Sequence, residues 1–249
     1  MNQINVEINE IKKLKEEIRS RIWRLMEEKN IASFPRPVYG RIPNFKGSEI
    51  AAKNILKLEF IREAEVVKVN PDSPQKPVRE LLLKMGRKVI MPTPRLKRGF
   101  LLINPSKIPR SEISFASTIR GAFIWGEPIN LKSLPKIDAI IVGSVAVSLD
   151  GYRIGKGGGY SELEYAILRE VNAIDDETPV ITTIHEVQLV DEVPREDHDV
   201  PVDFIVTPIR VIEVKPRKHK PKGIIWEKIT RDMMRKMPIL LELKRLKEQ

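Results

Sequence analysis

The chain contains no cysteine among its 249 residues. That absence removes disulfides, thiolate metal sites and a cysteine nucleophile together. Histidine is nearly as scarce. Of the three present, His185 and His198 stand thirteen residues apart, a spacing that builds no zinc site, and both read as structural. No apolar run approaches the ~20 residues that a membrane-spanning helix needs, so no membrane partner is expected. The opening stretch MNQINVEINEIKKLKEE carries no apolar signal core, and a cytoplasmic location is the expectation. Glycine is sparse too, 13 in all, yet five of them fall between Gly151 and Gly159.

Against these absences stand 41% hydrophobic and 31% charged residues, the balance of a soluble globular chain long enough to bury a core. The net charge of +10 is unevenly spread. Residues 211 to 249 hold twelve Lys/Arg against five Asp/Glu, leaving only +3 for residues 1 to 210. The expected organisation is therefore an α/β domain over 1–210 with a basic C-terminal extension, 211–249, packed on it.

Hydrophobic periodicity orders the elements. Ile8, Ile11, Leu14, Ile18, Ile22 and Leu25 recur at three- and four-residue intervals and predict one amphipathic helix. FPRPVYGRIPNF comes next, too rich in proline for a helix. GSEIAAKNILKL reads as a helix with Ser48 as its cap. Strands (EVVKVN, RKVIMPTP, a long DAIIVGSVAVS, PVITTIHEVQLV, DFIVTP) then alternate with helices (KPVRELLLKMG closed by Gly86, and Ser161 to Val171), with FLLINP a further element after RKVIMPTP. That alternation implies a parallel or mixed sheet covered on both faces. VIEVK, a basic linker KPRKHKPKG and a helix from Trp226 to Leu246 complete the chain.

The stretch GYRIGKGGGY sits between an apolar strand and a helix. Strand, glycine turn and helix together form the arrangement that binds phosphates, because backbone amides approach oxygens closely and the helix N-terminus adds partial positive charge. The stretch is one residue short of GxxxxGK and lacks its Ser/Thr. Tyr160 stands where GxGxxG needs glycine. Arg153 and Lys156 would repel each other on a bare turn, so an anion is expected to join them.

These residues resemble the glycine-rich loop of the 5-formyltetrahydrofolate cyclo-ligase family. KEEIR, GRKVIMP, WGEP and PREDHDVPVDFIVTP resemble further family segments, in order. FPRPVYGRIPNFKG, VKVNPDSPQ, VGSVAVS, GKGGGYSELEYA and PKGIIWEKIT are similar to one branch, the methenyltetrahydrofolate synthetase domain-containing proteins. The resemblance implies a three-layer αβα fold with a mostly parallel, Rossmann-like sheet. It also implies ATP- and Mg2+-dependent closure of 5-formyltetrahydrofolate, or a related pterin, to the 5,10-methenyl form through a phosphorylated formyl group.

By that resemblance, Lys15 and Arg19 reach the ATP phosphates from one face of the first helix. Gly155, Lys156, Gly157, Gly158, Gly159 and Tyr160 form the nucleotide loop. Arg153, Lys156 and Tyr160 are the catalytic candidates, with Tyr160 also stacking on substrate or adenine. Glu162 and Asp199 are the implied magnesium ligands, and Asp72 takes the acidic place in the folate pocket. The chain departs from the family where Tyr-Tyr-Asp becomes Tyr160-Ser161-Glu162 and where Gln75 replaces a threonine. One flat wall for a pterin is thereby lost, so nucleotide recognition is retained better than folate recognition.

A rival reading takes the chain as a nucleotide- or RNA-binding protein of this fold without turnover. Arg87, Arg95, Lys97, Arg98 and the basic tail could bind RNA phosphates in a salt-sensitive way. Ile224, Trp226, Met234, Ile239 and Leu243 recur in the tail at helical spacing, which favours packing on the body instead. On the enzyme reading, removal of residues 221–249 is expected to leave the pocket untouched.

Overall fold

A computed structural model describes the backbone of residues 2–247 and the side chains of residues 9–247. Helix α1 (Asn2–Glu28) forms as predicted, but its inward stripe only partly matches the apolar one: Ile22 is buried and Ile18 packs against the core. Ile8 lies outside the described side chains, and Leu14 is 42% exposed. Lys15, Arg19, Trp23 and Met26 are buried with Ile22. At 100° per residue Leu14 falls off the face that Lys15 occupies, so two cations extend the apolar stripe inward. The proline-rich connector is tied to α1 by the Trp23 indole N–H, which donates to the Arg41 carbonyl at 2.9 Å.

Helix α2 (Ser48–Asn54) starts after Gly47; Ser48 is its buried first residue and makes no capping bond, correcting the predicted cap. Next come α3 (Glu59–Glu63), β1 (Val66–Val69), α4 (Lys76–Lys84) ending at Gly86, β2 (Lys88–Pro92) and β3 (Phe100–Ile103). Two short helices with no strong sequence signal come after β3. They are α5 (Ile113–Ala116) and α6 (Ile119–Trp125), the latter capped by Thr118 Oγ1 accepting from the Gly121 amide. The edge strand β4 (Glu127–Ile129) precedes the apolar run predicted as one strand.

That run divides into β5 (Ala139–Val142) and β6 (Ala146–Ser148), in different sheets. A Cβ at Gly143, where they part, would sit 2.7 Å from Ile42 Cγ2; only glycine lets the backbone pass there. The remaining elements of the body are β7 (Arg153–Ile154), α7 (Tyr160–Glu170), β8 (Val180–Thr183), β9 (Leu189–Val190), β10 (Phe204–Val206) and β11 (Val211–Glu213). The final predicted helix is broken into α8 (Arg231–Lys236) and α9 (Pro238–Lys247). Pro238 cannot continue a helix but opens one readily.

The main sheet has the order β11-β10-β8-β5-β1-β2-β3-β4. Its centre, β10 to β2, is parallel, while β11, β3 and β4 join antiparallel at the edges. The chain leaves β1 toward β2 on one side and returns to β5 on the other. The crevice that binds ligands in such folds therefore lies beyond the carboxyl ends of β1 and β5. Val67, Val69, Val89, Met91, Ile141 and Ile181 face one apolar layer with α2 to α6. Val66, Ile90, Ile140, Val142, Val180 and Ile205 face another with α7 and the tail. A three-layer α/β fold results. A small sheet, β7-β6-β9, packs under α1. No helix among the described residues is long and apolar enough to cross a membrane.

Candidate functional site

A cleft of about 810 Å³ opens at the predicted crevice. Its walls are α1, the segment after β1, the glycine turn with the start of α7, residues 196–199, and tail residues 221–233. Two glycines set the turn: Gly157 has φ +97° and Gly159 φ +65°, values that side-chain-bearing residues rarely adopt. The Tyr160 ring lies over Gly158, where a Cβ would stand 2.7 Å from ring carbons. Among the described residues, no acceptor takes the amides of residues 156–159 or the first-turn amides of Tyr160, Ser161 and Glu162. Unspent donors at a helix N-terminus make an anion-binding concavity.

The cations nominated from sequence converge on this turn, but each already has a protein partner. Lys15 Nζ donates to Asp199 Oδ2 at 2.7 Å and to Glu196 Oε2 at 2.9 Å. Arg153 donates to Glu162 Oε1 at 2.5 Å and to the Gly143 carbonyl at 3.0 Å. Lys156 Nζ donates to Asp72 Oδ1 at 2.8 Å. Arg19 donates to the Gly155 carbonyl and to Glu16 Oε2, each at 2.8 Å. Six cationic side chains line the cleft against five carboxylates, so its charge nearly cancels. The expectation that an outside anion must join Arg153 and Lys156 is corrected: the fold brings carboxylates from 9 and 84 residues away.

These pairs differ in how firmly they are held. The side chains of Lys15 and Arg153 are 7% and 1% exposed, whereas Lys156 is 43% exposed. An exposed pair contributes about 0–1 kcal/mol, but removing one partner of a buried pair costs about 3–5 kcal/mol. Lys156 is the cation most easily turned to a new partner. Lys15 and Arg153 are fixtures.

Glu162 and Asp199, the implied magnesium ligands, both line the cleft, and each is already tied to a cation. Glu162 is engaged by Arg153, and the side chains clustered with Asp199 are Glu196 and His198, whose ligand atoms lie within 4.8 Å of one another. His198 thus lines the cleft, with Lys228 Nζ 3.5 Å from its Nδ1, while His185 caps a short turn and accepts from the Val187 amide. Burial pushes the Glu196 carboxyl up, but Lys15, aided by His198 and Lys12, outweighs burial and holds it below its ordinary value of 4.5. A depressed folded pKa gives stability that is present above pH 4.5 and lost as pH falls through the folded value. The melting-temperature gap between wild type and Glu196→Gln should therefore be widest at neutral pH and close in acid. A gap independent of pH would remove Glu196 from the clamp.

Beneath the turn lies a set that the motifs missed. Lys68, fully buried in β1, donates to Glu164 Oε2 and Asn70 Oδ1, each at 2.5 Å, and the Asn70 amide donates to Ser161 Oγ at 2.7 Å. A lysine inside the otherwise apolar VVKV was the available signal. Gln75, placed by resemblance in the folate pocket, is instead fully buried and donates to Thr183 Oγ1 at 3.1 Å. Asp72 does line the cleft.

The tail departs furthest from expectation. Ile224, Met237, Ile239, Leu240 and Leu243 join the main core, as the apolar spacing implied. Arg217, Lys220 and Lys247 pair with Glu177, Asp203 and Glu170 of the body, which favours packing, while Lys215, Arg235 and Lys236 pair with carboxylates of the tail itself. Pro221, Ile225, Lys228, Ile229 and Met233 also line the cleft, so the expectation that residues 221–249 stand clear of it is overturned.

A model of the 5-formyltetrahydrofolate cyclo-ligase family matches residues 11–208. A methenyltetrahydrofolate synthase domain-containing protein of Homo sapiens is 44% identical over 240 residues, covering 94% of this chain and 62% of that protein. Its Bos taurus counterpart is 44% identical over 239 residues, covering 94% and 63%. The chain thus spans less than two thirds of the length of these relatives. A 5-formyltetrahydrofolate cyclo-ligase of Mycolicibacterium smegmatis is 26% identical over 137 residues, covering 53% of this chain and 66% of the relative. The NMR structure of Aquifex aeolicus 5,10-methenyltetrahydrofolate synthetase shares the fold at a TM-score of 0.52 and 21% identity, covering 84% of this chain and 96% of that one.

Proposed function

The chain belongs to the 5-formyltetrahydrofolate cyclo-ligase family, and from that premise we propose that the cleft closes 5-formyltetrahydrofolate, or a related reduced pterin, to its 5,10-methenyl form at the expense of ATP. The observation that carries this reading is the glycine turn. Its unpaired amides, left-handed glycines and an exposed lysine sit together at the mouth of a parallel sheet.

In the proposed reaction the formyl oxygen takes the terminal phosphoryl group and ADP leaves. The N10 lone pair then attacks the formyl carbon, the carbon–oxygen bond breaks, phosphate departs and the N10 proton passes to solvent. No protein nucleophile is required, which suits a chain without cysteine. What the protein must supply is placement and charge. The amides of residues 156–162 hold phosphate oxygens. Lys156 exchanges Asp72 for the transferring group, which frees the Asp72 carboxylate inside the cleft. Arg19 keeps the turn in shape through the Gly155 carbonyl, and Arg153 and Lys15 brace its flanks.

Glu196, His198 and Asp199 bring ligand atoms within 4.8 Å of one another, but both carboxylates already share the Lys15 ammonium, so a magnesium ion bound there would have to displace it. Magnesium belongs in this proposal as the counter-ion of the triphosphate, held by phosphate and water oxygens.

The test is to incubate the purified chain with 5-formyltetrahydrofolate, with and without ATP and magnesium, and to follow the methenyl product by absorbance. Product that appears only with ATP supports the reading. ATP binding without product would support the rival, a nucleotide-binding protein of this fold.

A further inference from the structure

The family match ends at residue 208, yet one wall of the cleft is made by the C-terminal tail beyond that point. Tail residues Ile224, Ile225, Ile229 and Met233 line the cleft together with Leu163 and Ala166, which lie three and six residues past Tyr160 on α7. At 1.5 Å per residue those two positions stand about 5 and 9 Å farther along the helix than the turn. The cleft therefore has two ends. One holds the bare amides with Lys15, Arg19, Arg153 and Lys156; the other takes in Leu163 and Ala166, one to two helical turns along α7, and the tail residues, which are mostly apolar apart from Lys228.

This wall is fixed in place. Lys220 Nζ, buried, donates to Asp203 Oδ2 at 2.7 Å, and the Ile224 amide donates to Glu170 Oε1 at 3.0 Å. A Cβ at Gly223 would sit 2.6 Å from that same carboxylate oxygen, so the tail backbone lies flush on the end of α7. Lys247 closes over the other Glu170 oxygen at 2.5 Å. Ile225 is half-buried and is not one of the residues packed into the apolar core. Its side chain faces the cleft, where covering it would remove apolar area from water.

We propose that residues 224–233 form a specificity-determining wall that packs against the flat heteroaromatic ring of a ligand whose anionic end sits at the glycine turn. The ring is either the base of the nucleotide or the pterin. The inference rests on reading the cleft as a site for both. Branched aliphatic and thioether side chains on one side and a helix face on the other form an apolar slot for a ring, and methionine sulfur adds a favourable contact with aromatic edges.

The test titrates wild type, Ile225→Asn and Ile225→Leu by calorimetry with three probes: sodium tripolyphosphate, ATP and 5-formyltetrahydrofolate. Neither substitution changes charge, and melting temperatures should stay near wild type. Tripolyphosphate affinity should be the same in all three proteins. Ile225→Asn should weaken ATP or the folate about tenfold, while Ile225→Leu restores it. Loss for ATP alone assigns the ring to the base, and loss for the folate alone assigns it to the pterin. Wild-type affinity of Ile225→Asn for both overturns the proposal. Wild type binding tripolyphosphate as tightly as ATP, with no folate binding, leaves the turn standing and removes the wall. Binding of none of the three removes the proposed function and this wall with it.

Discussion

Replacing Lys156 with alanine is expected to lower kcat/KM for ATP-dependent methenyl formation about 10²–10³-fold, with the melting temperature moving by no more than about 4 °C. The activity figure is that of removing one preorganised donor from a site where charge develops during transfer. The small thermal effect follows from the geometry of the ground state. Lys156 is 43% exposed, and its partner Asp72 keeps its place after β1 whether or not the ammonium is present. An exposed pair of this kind contributes about 0–1 kcal/mol. Steady-state kinetics and a thermal melt on the same preparation separate the two effects. A variant that melts early but turns over normally would show Lys156 to be a structural strut and would return the phosphate role to the braced cations.

Lys68→Met should destabilise the protein by about 3–5 kcal/mol, because it leaves the Glu164 carboxylate buried without its cation. For a chain of this size that corresponds to a fall in melting temperature of roughly 6–20 °C. Burial already raises the Glu164 pKa, with Lys68 opposing it. Without the lysine the native state would hold the Glu164 proton more tightly than the unfolded chain does. The variant's own stability should thus fall as pH rises above the ordinary value of 4.5, and its deficit against wild type should open only above the already raised wild-type pKa and close again as pH is lowered through it. The double variant Lys68→Met/Glu164→Leu should regain most of the loss, since no charge is left in the apolar layer. Asn70 would still lose its Lys68 donor, so activity should recover less than stability does. Equal melting temperatures for wild type and Lys68→Met would show that the pair is not the keystone under the turn.

These two lysines illustrate what could be read in advance. Lys156 is conspicuous in sequence because it stands inside a glycine run. Lys68 is a single polar letter in a strand, and nothing local says that Glu164, 96 residues later, will meet it. The same holds for Lys15, whose partners Glu196 and Asp199 lie 181 and 184 residues away. The division of DAIIVGSVAVS is another case. Its apolar pattern is continuous, and only the approach of Ile42 at Gly143 shows why one strand becomes two.

By itself the sequence determined what depends on neighbours within a few residues. It set the long first helix, the strand and helix alternation that makes an α/β sheet, the glycine turn at the head of α7, and the end of α4 at Gly86. Steric limits on the backbone and side-chain periodicity act over that range, so they can be read letter by letter. Only the tertiary structure decided which carboxylate neutralises which cation, that Lys156 alone of the buttressed set is loosely held, and that the basic tail folds back to wall the cleft. Ion pairing and packing act between atoms about 3–4 Å apart whatever their distance along the chain, so they exist only once the layers have closed.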